Sequence, residues 1–320
     1  MSLPFAPIAE YHQVTPELFQ DVIQANYQPA ILRGLVQHWP CVQAAQTDQS
    51  RLLQDMAQCD NGTKVDAIML RPETHGRVFY DATMDGFNFI KNKVTITSVL
   101  EQLIRYAQFD RPPSVAIQSA LVGECLPKWR AALALNLLAP EVEPRIWIGN
   151  QITTPTHIDG SDNIACVVSG RREFVLFPPE QIANLYIGPL DFAPTPSPIS
   201  MVDLRAPDLT RYPRFENALA HAQSAVLEPG DAIYIPNLWW HHVESLEKIN
   251  VLVNYWWGGS NFSTENKTSP YGLLMQALLS FKELPPSQRA AWGHLFQHYV
   301  FDETSPAAHI PAHRHGVLQR

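Results

Sequence analysis

Two segments of the chain carry residue types that hold metal ions. Thr154-Pro155-Thr156-His157-Ile158-Asp159 sets an imidazole and a carboxylate two residues apart, and on an extended strand such residues project to one face. That spacing aims two ligands at one point. A third must come from elsewhere, and Pro236-Asn237-Leu238-Trp239-Trp240-His241-His242-Val243 is the best source. It follows Glu228-Pro229-Gly230-Asp231, a turn that launches a strand over 232–235. Neighbouring strand residues face opposite ways, so only one of His241 and His242 looks inward, and Trp240 and His242 share a side. Two imidazoles and one carboxylate on one face of an octahedral ion leave positions for a bidentate co-substrate and dioxygen, the donor set that suits non-haem Fe(II) chemistry. An H-x-D triplet alone is a weak signal. Its pairing with the late G-D-x-x-x-x-P-x-x-x-x-H segment, in a chain patterned as a barrel, carries the reading.

The elements that must position these residues follow from turn and period signals. Thr15-Pro16-Glu17 reads as an N-cap, a first-turn proline and an early acid, so a helix begins there. Pro29 to Gly34 is a short β-like run, and helical patterns cover 51–58 and 96–108. From Ser114 onward short β-rich runs recur between turns, at 115–119, 145–149, 164–168, 173–177, 225–227, 232–235 and 249–257. Ser169-Gly170-Arg171 joins two of them as a hairpin, and 189–213 is a proline-rich irregular insertion. Helical spacing returns over 271–281 and, beyond Pro285-Pro286, from Trp292 to Val300. The expected organisation is an N-terminal flanking region (1–113), a β-barrel core (114–260) and a C-terminal helix pair (261–320) that packs on the barrel or forms a dimer interface.

Composition narrows the function classes. The chain has 320 residues, of which 46% are hydrophobic and 17% charged, enough apolar material for a large core. With 23 basic and 31 acidic side chains the net charge of −8 works against attraction to a phosphate backbone, so no nucleic acid partner is expected. Cys41, Cys59, Cys125 and Cys166 form no C-x-x-C pair and read as reduced thiols. The first residues show no signal-peptide pattern, and no apolar stretch approaches membrane-span length. A soluble, cytoplasmic protein is expected, with no membrane partner.

At the metal-binding segments the sequence resembles the JmjC and cupin-like protein hydroxylases, particularly their asparaginyl hydroxylase branch. The residues that match are Thr154-Pro-x-His157-x-Asp159, Leu176-Phe177-Pro178-Pro179, Gly230-Asp231, Tyr234-Ile235-Pro236, Trp239-Trp240-His241-His242 and Val253-Asn254-x-Trp256. The resemblance implies a mainly β fold, a double-stranded β-helix with N-terminal helices and a C-terminal helix pair that forms a homodimer. It implies that His157, Asp159 and His241 are the catalytic metal ligands, holding Fe(II), with 2-oxoglutarate as co-substrate. It carries further roles onto Thr154 as a hydroxyl for the distal carboxylate of 2-oxoglutarate, Asn163 and Asn254 as amides at the metal end, and Gln118 as a polar residue of the early barrel strand.

Two positions depart from that pattern. Arg172 stands where close relatives carry a lysine for the distal carboxylate, and Ala116 replaces a tyrosine contact. Arginine offers a planar fork rather than a compact ammonium, so Arg172 either binds the dicarboxylate in a displaced position or is a solvated strand charge. The implied activity is a 2-oxoglutarate-dependent dioxygenase that hydroxylates a protein or peptide side chain. Trp239, Trp240 and Trp256 are candidate walls of its pocket, and Tyr212 and Phe215 candidate lining of a substrate groove. The alternatives are a small-molecule oxygenase, a demethylase using the same chemistry, a metal-dependent enzyme that uses no 2-oxoglutarate, and a catalytically silent cupin acting as a dimeric binding module.

Overall fold

The structure is a computed structural model that describes residues 5–259 and 269–318. The chain divides into two compact units, Met1–Gly259 and Ser260–Arg320.

In the first unit, β1 (Ala6–Pro7) and β2 (Ala9–His12) precede α1 (Pro16–Leu18), where the Thr15 hydroxyl accepts from the Leu18 N–H at 3.2 Å as the cap signal predicts. The helix continues as π-helical turns to Gln24 and buries Phe19 and Ile23. Next come β3 (Ala30–Arg33), α2 (Pro40–Thr47), α3 (Gln49–Cys59), β4 (Val65–Leu70), β5 (Phe89–Val94) and α4 (Ile96–Tyr106). The β4 and β5 pair lies upstream of Ser114, where the sequence pattern places the start of the recurring β-rich runs of the barrel. It escapes that pattern because β5 is an edge strand carrying Lys91 and Lys93 in place of a continuous apolar run.

The barrel continues with β6 (Ser114–Leu121), α5 (Val122–Cys125), β7 (Arg145–Gly149), β8 (Thr153–His157), β9 (Asp162–Ser169) and β10 (Arg172–Phe177). After an irregular stretch come α6 (Phe215–Ala220), β11 (Gln223–Leu227), β12 (Ala232–Ile235), β13 (Trp240–Ser245) and β14 (Asn250–Trp257). The minor sheet has the order β1-β11-β10-β13-β8, and the major sheet runs β2-β3-β12-β9-β14-β7-β6-β4-β5. This is the mainly β, jelly-roll architecture that the resemblance implies.

Side-chain alternation sets three layers. Phe174, Leu176 and Leu227 of the minor sheet meet Ile31, Val167, Ile233 and Ile235 of the major sheet in the interior. The other face of the major sheet packs against α2, α3 and α4 through Val42, Leu52, Met56, Val99 and Leu103. The outer face of the minor sheet buries Val175, Phe177 and Trp240 beneath Leu185, Val202, Leu204 and Phe215 of the insertion.

Two turns close the end of the barrel away from the ligands. Gly170 has φ +75°, and a Cβ there would lie 2.3 Å from Asn250 Oδ1, so the β9–β10 hairpin requires glycine. Asp231 accepts from Gly34 N at 2.9 Å and Glu228 N at 3.2 Å and pairs with Arg33 at 2.6 Å, which ties the start of β12 to β3. The Gly-Asp of the recognised motif is thus a structural clamp.

In the second unit, α7 (Pro270–Phe281) is capped by Ser269, and α8 (Pro286–Phe296) runs on as π-helical turns to Phe301. Phe281 packs on Trp292 and Phe296, with ring centroids at 5.2 and 5.8 Å. Leu273, Leu274, Leu279, Leu295, Tyr299 and Val300 are exposed in the single chain. Among the described residues no helix is long and apolar enough to cross a membrane. The four cysteines are free thiols, three of them buried.

Candidate metal centre

His157, Asp159 and His241 converge, with one potential ligand atom from each lying within 4.8 Å of the others. The route to that convergence differs from simple strand alternation. His157 is the last residue of β8, and Asp159 lies beyond it in the loop to β9. His241 is the register partner of His157 on β13, and their ring centroids are 4.2 Å apart. The loop and the β12–β13 turn are joined by Leu238 N–H donating to Asp159 O at 3.2 Å.

The histidines are prepared for a cation. Nδ1 of His157 lies 2.8 Å from Pro155 O, and Nδ1 of His241 lies 3.0 Å from Trp239 O. A carbonyl can only accept, so each Nδ1 carries a proton, which leaves each Nε2 as the atom that would bind an ion. His241 Nε2 sits 3.5 Å from Asp159 Oδ2. Burial, and then the adjacent His241, push the His157 pKa down to about 4, so its ring is neutral at physiological pH. Burial would raise the Asp159 carboxyl, but hydrogen bonding and charge from His241 and His157, with the Trp256 N–H, outweigh it and hold it at about 2. A neutral His157 ring beside an ionised Asp159 carboxylate matches the protonation states that a divalent ion requires.

His242 faces the opposite side, with Nε2 3.0 Å from Glu244 Oε1. Glu244 also takes a bidentate pair from Arg205, which pins the insertion to the outer face. Trp240 shares that outer face, so it does not wall the pocket, whereas Trp239 is interior. Phe215 is buried in the outer cluster and lines no groove. Tyr212 does line one: with Arg77, Phe79, Asp81, Asp203 and Arg211 it borders a cleft of about 310 Å³. That cleft is bordered by Arg77, whose backbone bridges Thr153 at the edge of β8, and Ile199 bridges His157 on that strand.

The interior face of the minor sheet leads away from the ligands in register. His157, His241 and Leu176 lie abreast, then Thr154, Val243 and Phe174, then Ser245 and Arg172. Leu176 and Arg172 are four residues apart, about 13 Å of strand. Arg172 is buried (7% exposed) rather than solvated, and its Nε has no hydrogen-bond partner. Burial lowers its pKa to about 10, and among the described residues no carboxylate pairs with it. Arg171, beside it, is exposed and pairs with Glu247 at 2.7 Å.

Asn163 donates to Asp159 Oδ2 at 3.2 Å, and Asn254 donates to Asn163 Oδ1 at 3.2 Å, so both side-chain amides join a network on Asp159 while their residues also pair within the major sheet. Gln118 is half-buried at the bulge of β6, beside Ser119 with its positive φ. Ala116 is buried with Ile68, Leu70, Val78 and Ile152. Sequence reasoning missed Trp147, whose indole donates to Asn254 at 2.8 Å; its place in the alternation of β7 was the only available signal.

Fold and site together define a double-stranded β-helix protein with a two-histidine, one-carboxylate cluster that could hold a metal ion. Residues 16–263 match the family model described as a cupin-like domain, and the chain belongs to that JmjC-related family of Fe(II)/2-oxoglutarate oxygenases. It is 39% identical over 118 residues to a protein named Lysine-specific demethylase JMJ31 of Arabidopsis thaliana, a match covering 37% of this chain and 21% of that protein. It is 27% identical over 248 residues to HSPB1-associated protein 1 of Rattus norvegicus, covering 76% and 51%. It is 34% identical over 146 residues to tRNA wybutosine-synthesizing protein 5 of Danio rerio, covering 42% of each. The chain thus spans about half, or less, of the length of these relatives.

Proposed function

We propose that the protein is an Fe(II)- and 2-oxoglutarate-dependent dioxygenase that hydroxylates a protein or peptide side chain. The observation that carries this reading is the pairing of the His157, Asp159 and His241 cluster with a buried, unpaired guanidinium on the same interior face. A buried cation without a countercharge is costly, and an interior route from a divalent-metal site to such a cation suits a dicarboxylate that chelates at one end. Arg172 and Thr154 hold the distal carboxylate, and His157, Asp159 and His241 hold the metal. Fe(II), when bound, supplies Lewis-acid sites for co-substrate and dioxygen together with the redox capacity for oxidation. Asn163 and Trp256 hold the Asp159 carboxylate, the Pro155 and Trp239 carbonyls fix the imidazole tautomers, and the apolar interior excludes water from the reacting end.

A protein or peptide substrate is supported by the cleft beside β8, whose paired arginines, aspartates and aromatic rings suit an amphipathic chain. The test is succinate release from 2-oxoglutarate with Fe(II), followed by mass spectrometry of proteins captured by the Asp159→Ala chain and then turned over by the wild-type protein. Succinate and a trapped protein gaining one oxygen atom are expected; chemistry without succinate would overturn the co-substrate, and no chemistry at all would favour a silent binding module.

The exposed leucines and aromatics of α7 and α8 favour a homodimer through this helix pair. A dimeric mass in light scattering, lost in Leu279→Glu, is expected; a monomer across the micromolar range would overturn it.

A further inference from the structure

A chain of side chains outside the ligand set ends on Asp159. Trp147, in the middle of β7, donates its indole N–H to Asn254 Oδ1 at 2.8 Å. Asn254, on β14, donates from Nδ2 to Asn163 Oδ1 at 3.2 Å. Asn163, on β9, donates from Nδ2 to Asp159 Oδ2 at 3.2 Å, and the Trp256 indole reaches the same oxygen at 3.0 Å. Asn163 and Asn254 are both buried, so neither amide has bulk water as an alternative partner.

The direction of this chain is determined by chemistry at its two ends. An indole nitrogen can only donate, and an ionised carboxylate can only accept. The amides between them satisfy both ends in one orientation alone, with each oxygen toward Trp147 and each NH₂ toward Asp159. Turning Asn254 would face its NH₂ to the Trp147 N–H, and turning Asn163 would set its oxygen against the carboxylate. Each alternative leaves buried polar groups unsatisfied, which disfavours it strongly. Trp147 and Trp256 also pack edge to face, with centroids 6.2 Å apart, so the two indoles brace the interior near the carboxylate from neighbouring strands.

We propose that Trp147 is a positioning residue for the metal ligand Asp159, acting at three hydrogen bonds' remove through the amide polarity of Asn254 and Asn163. Loss of its N–H leaves Asn254 Oδ1 buried without a donor. Asn254 is then no longer held in the one polarity and place that donate to Asn163, and the hold on Asp159 loosens. Outer-shell partners of this kind typically contribute about 10–100-fold to metal affinity. The inference rests on the reading of His157, Asp159 and His241 as metal ligands.

The test uses the full chain and Co(II) under anaerobic conditions, comparing wild type, Trp147→Phe, Asn163→Ala and the double variant. Dissociation constants, the visible ligand-field spectrum and the metal-free melting temperature are measured. Trp147→Phe is expected to bind Co(II) about tenfold more weakly with an altered spectrum, and the double variant to bind no more weakly than Asn163→Ala alone. Wild-type affinity and spectrum in Trp147→Phe would overturn the proposal, as would a double variant whose loss is the product of the two single losses. Asn254→Leu, which has no polar side-chain atom, serves if Trp147→Phe folds poorly, with the same tenfold loss expected and wild-type affinity again decisive against the proposal. Wild-type protein that binds no Co(II) would instead sink the ligand assignment itself.

Discussion

His241 and His242 are neighbours in sequence and serve opposite faces of one strand: Nε2 of His241 lies 3.5 Å from Asp159 Oδ2, and Nε2 of His242 lies 3.0 Å from Glu244 Oε1. Only His241 reaches the cluster. His241→Ala is therefore expected to abolish stoichiometric Co(II) or Fe(II) binding, and His242→Ala to preserve it within about threefold while costing roughly 1–2 kcal/mol of stability through the lost Glu244 partner. Calorimetric titration with chemical denaturation checks both, and intact binding in His241→Ala would refute the ligand set.

Arg172 is expected to trade stability for co-substrate binding. Replacing this unpaired buried cation with methionine should raise the stability of the ligand-free protein by about 1 kcal/mol or more. The same change should raise the 2-oxoglutarate requirement at least about tenfold. Unfolding curves with and without 2-oxoglutarate read both effects, and a variant that is less stable yet keeps normal affinity would show Arg172 to be a structural residue.

Metal-free stability should fall as the medium is acidified from pH 6.5 toward 4. The unfolded His157 ring takes up a proton near its ordinary value of 6.5, whereas the folded ring does so only near 4. Unfolding therefore binds a proton inside that window, and lowering the pH favours the unfolded chain. The contribution is about 1 kcal/mol, reduced by the ring's partial exposure to solvent. Melting profiles of wild type and His157→Gln should diverge only within this window; a difference constant with pH would contradict the assignment.

Asp231 is expected to matter for folding and not for metal. Asp231→Ala leaves the Gly34 and Glu228 N–H groups without their acceptor and Arg33 with Glu10 alone. A loss of about 2–3 kcal/mol should follow, with unchanged Co(II) stoichiometry in the folded fraction. Altered stoichiometry would mean that the motif's aspartate acts on the site directly.

Much of the site was legible because its logic is local. The H-x-D spacing, the two adjacent histidines and the turn that precedes them are short-range features, and the Thr15 cap and the hairpin glycine at 170 are set by the same few residues that form them. The character of Arg172 was not legible: the same Arg171-Arg172 pair reads as two strand charges, and only the β10 register against β13 and β11 shows which one enters the barrel. Phe215 was misplaced for the same kind of reason, since an aromatic in an irregular insertion is exposed or buried according to what lies beneath it.

From its order of residues alone the chain determined the recurring short strands of a mainly β fold and the two segments that carry candidate ligands, because turn signals and local spacing depend on neighbours in sequence. The jelly roll and the choice of His157, Asp159 and His241 came from the family resemblance of those segments. Tertiary structure decided which residues serve those ligands. Trp147, Asn163, Asn254 and Asp159 belong to different strands and loops, and whether each amide donates or accepts depends on the partner that sheet pairing places opposite it.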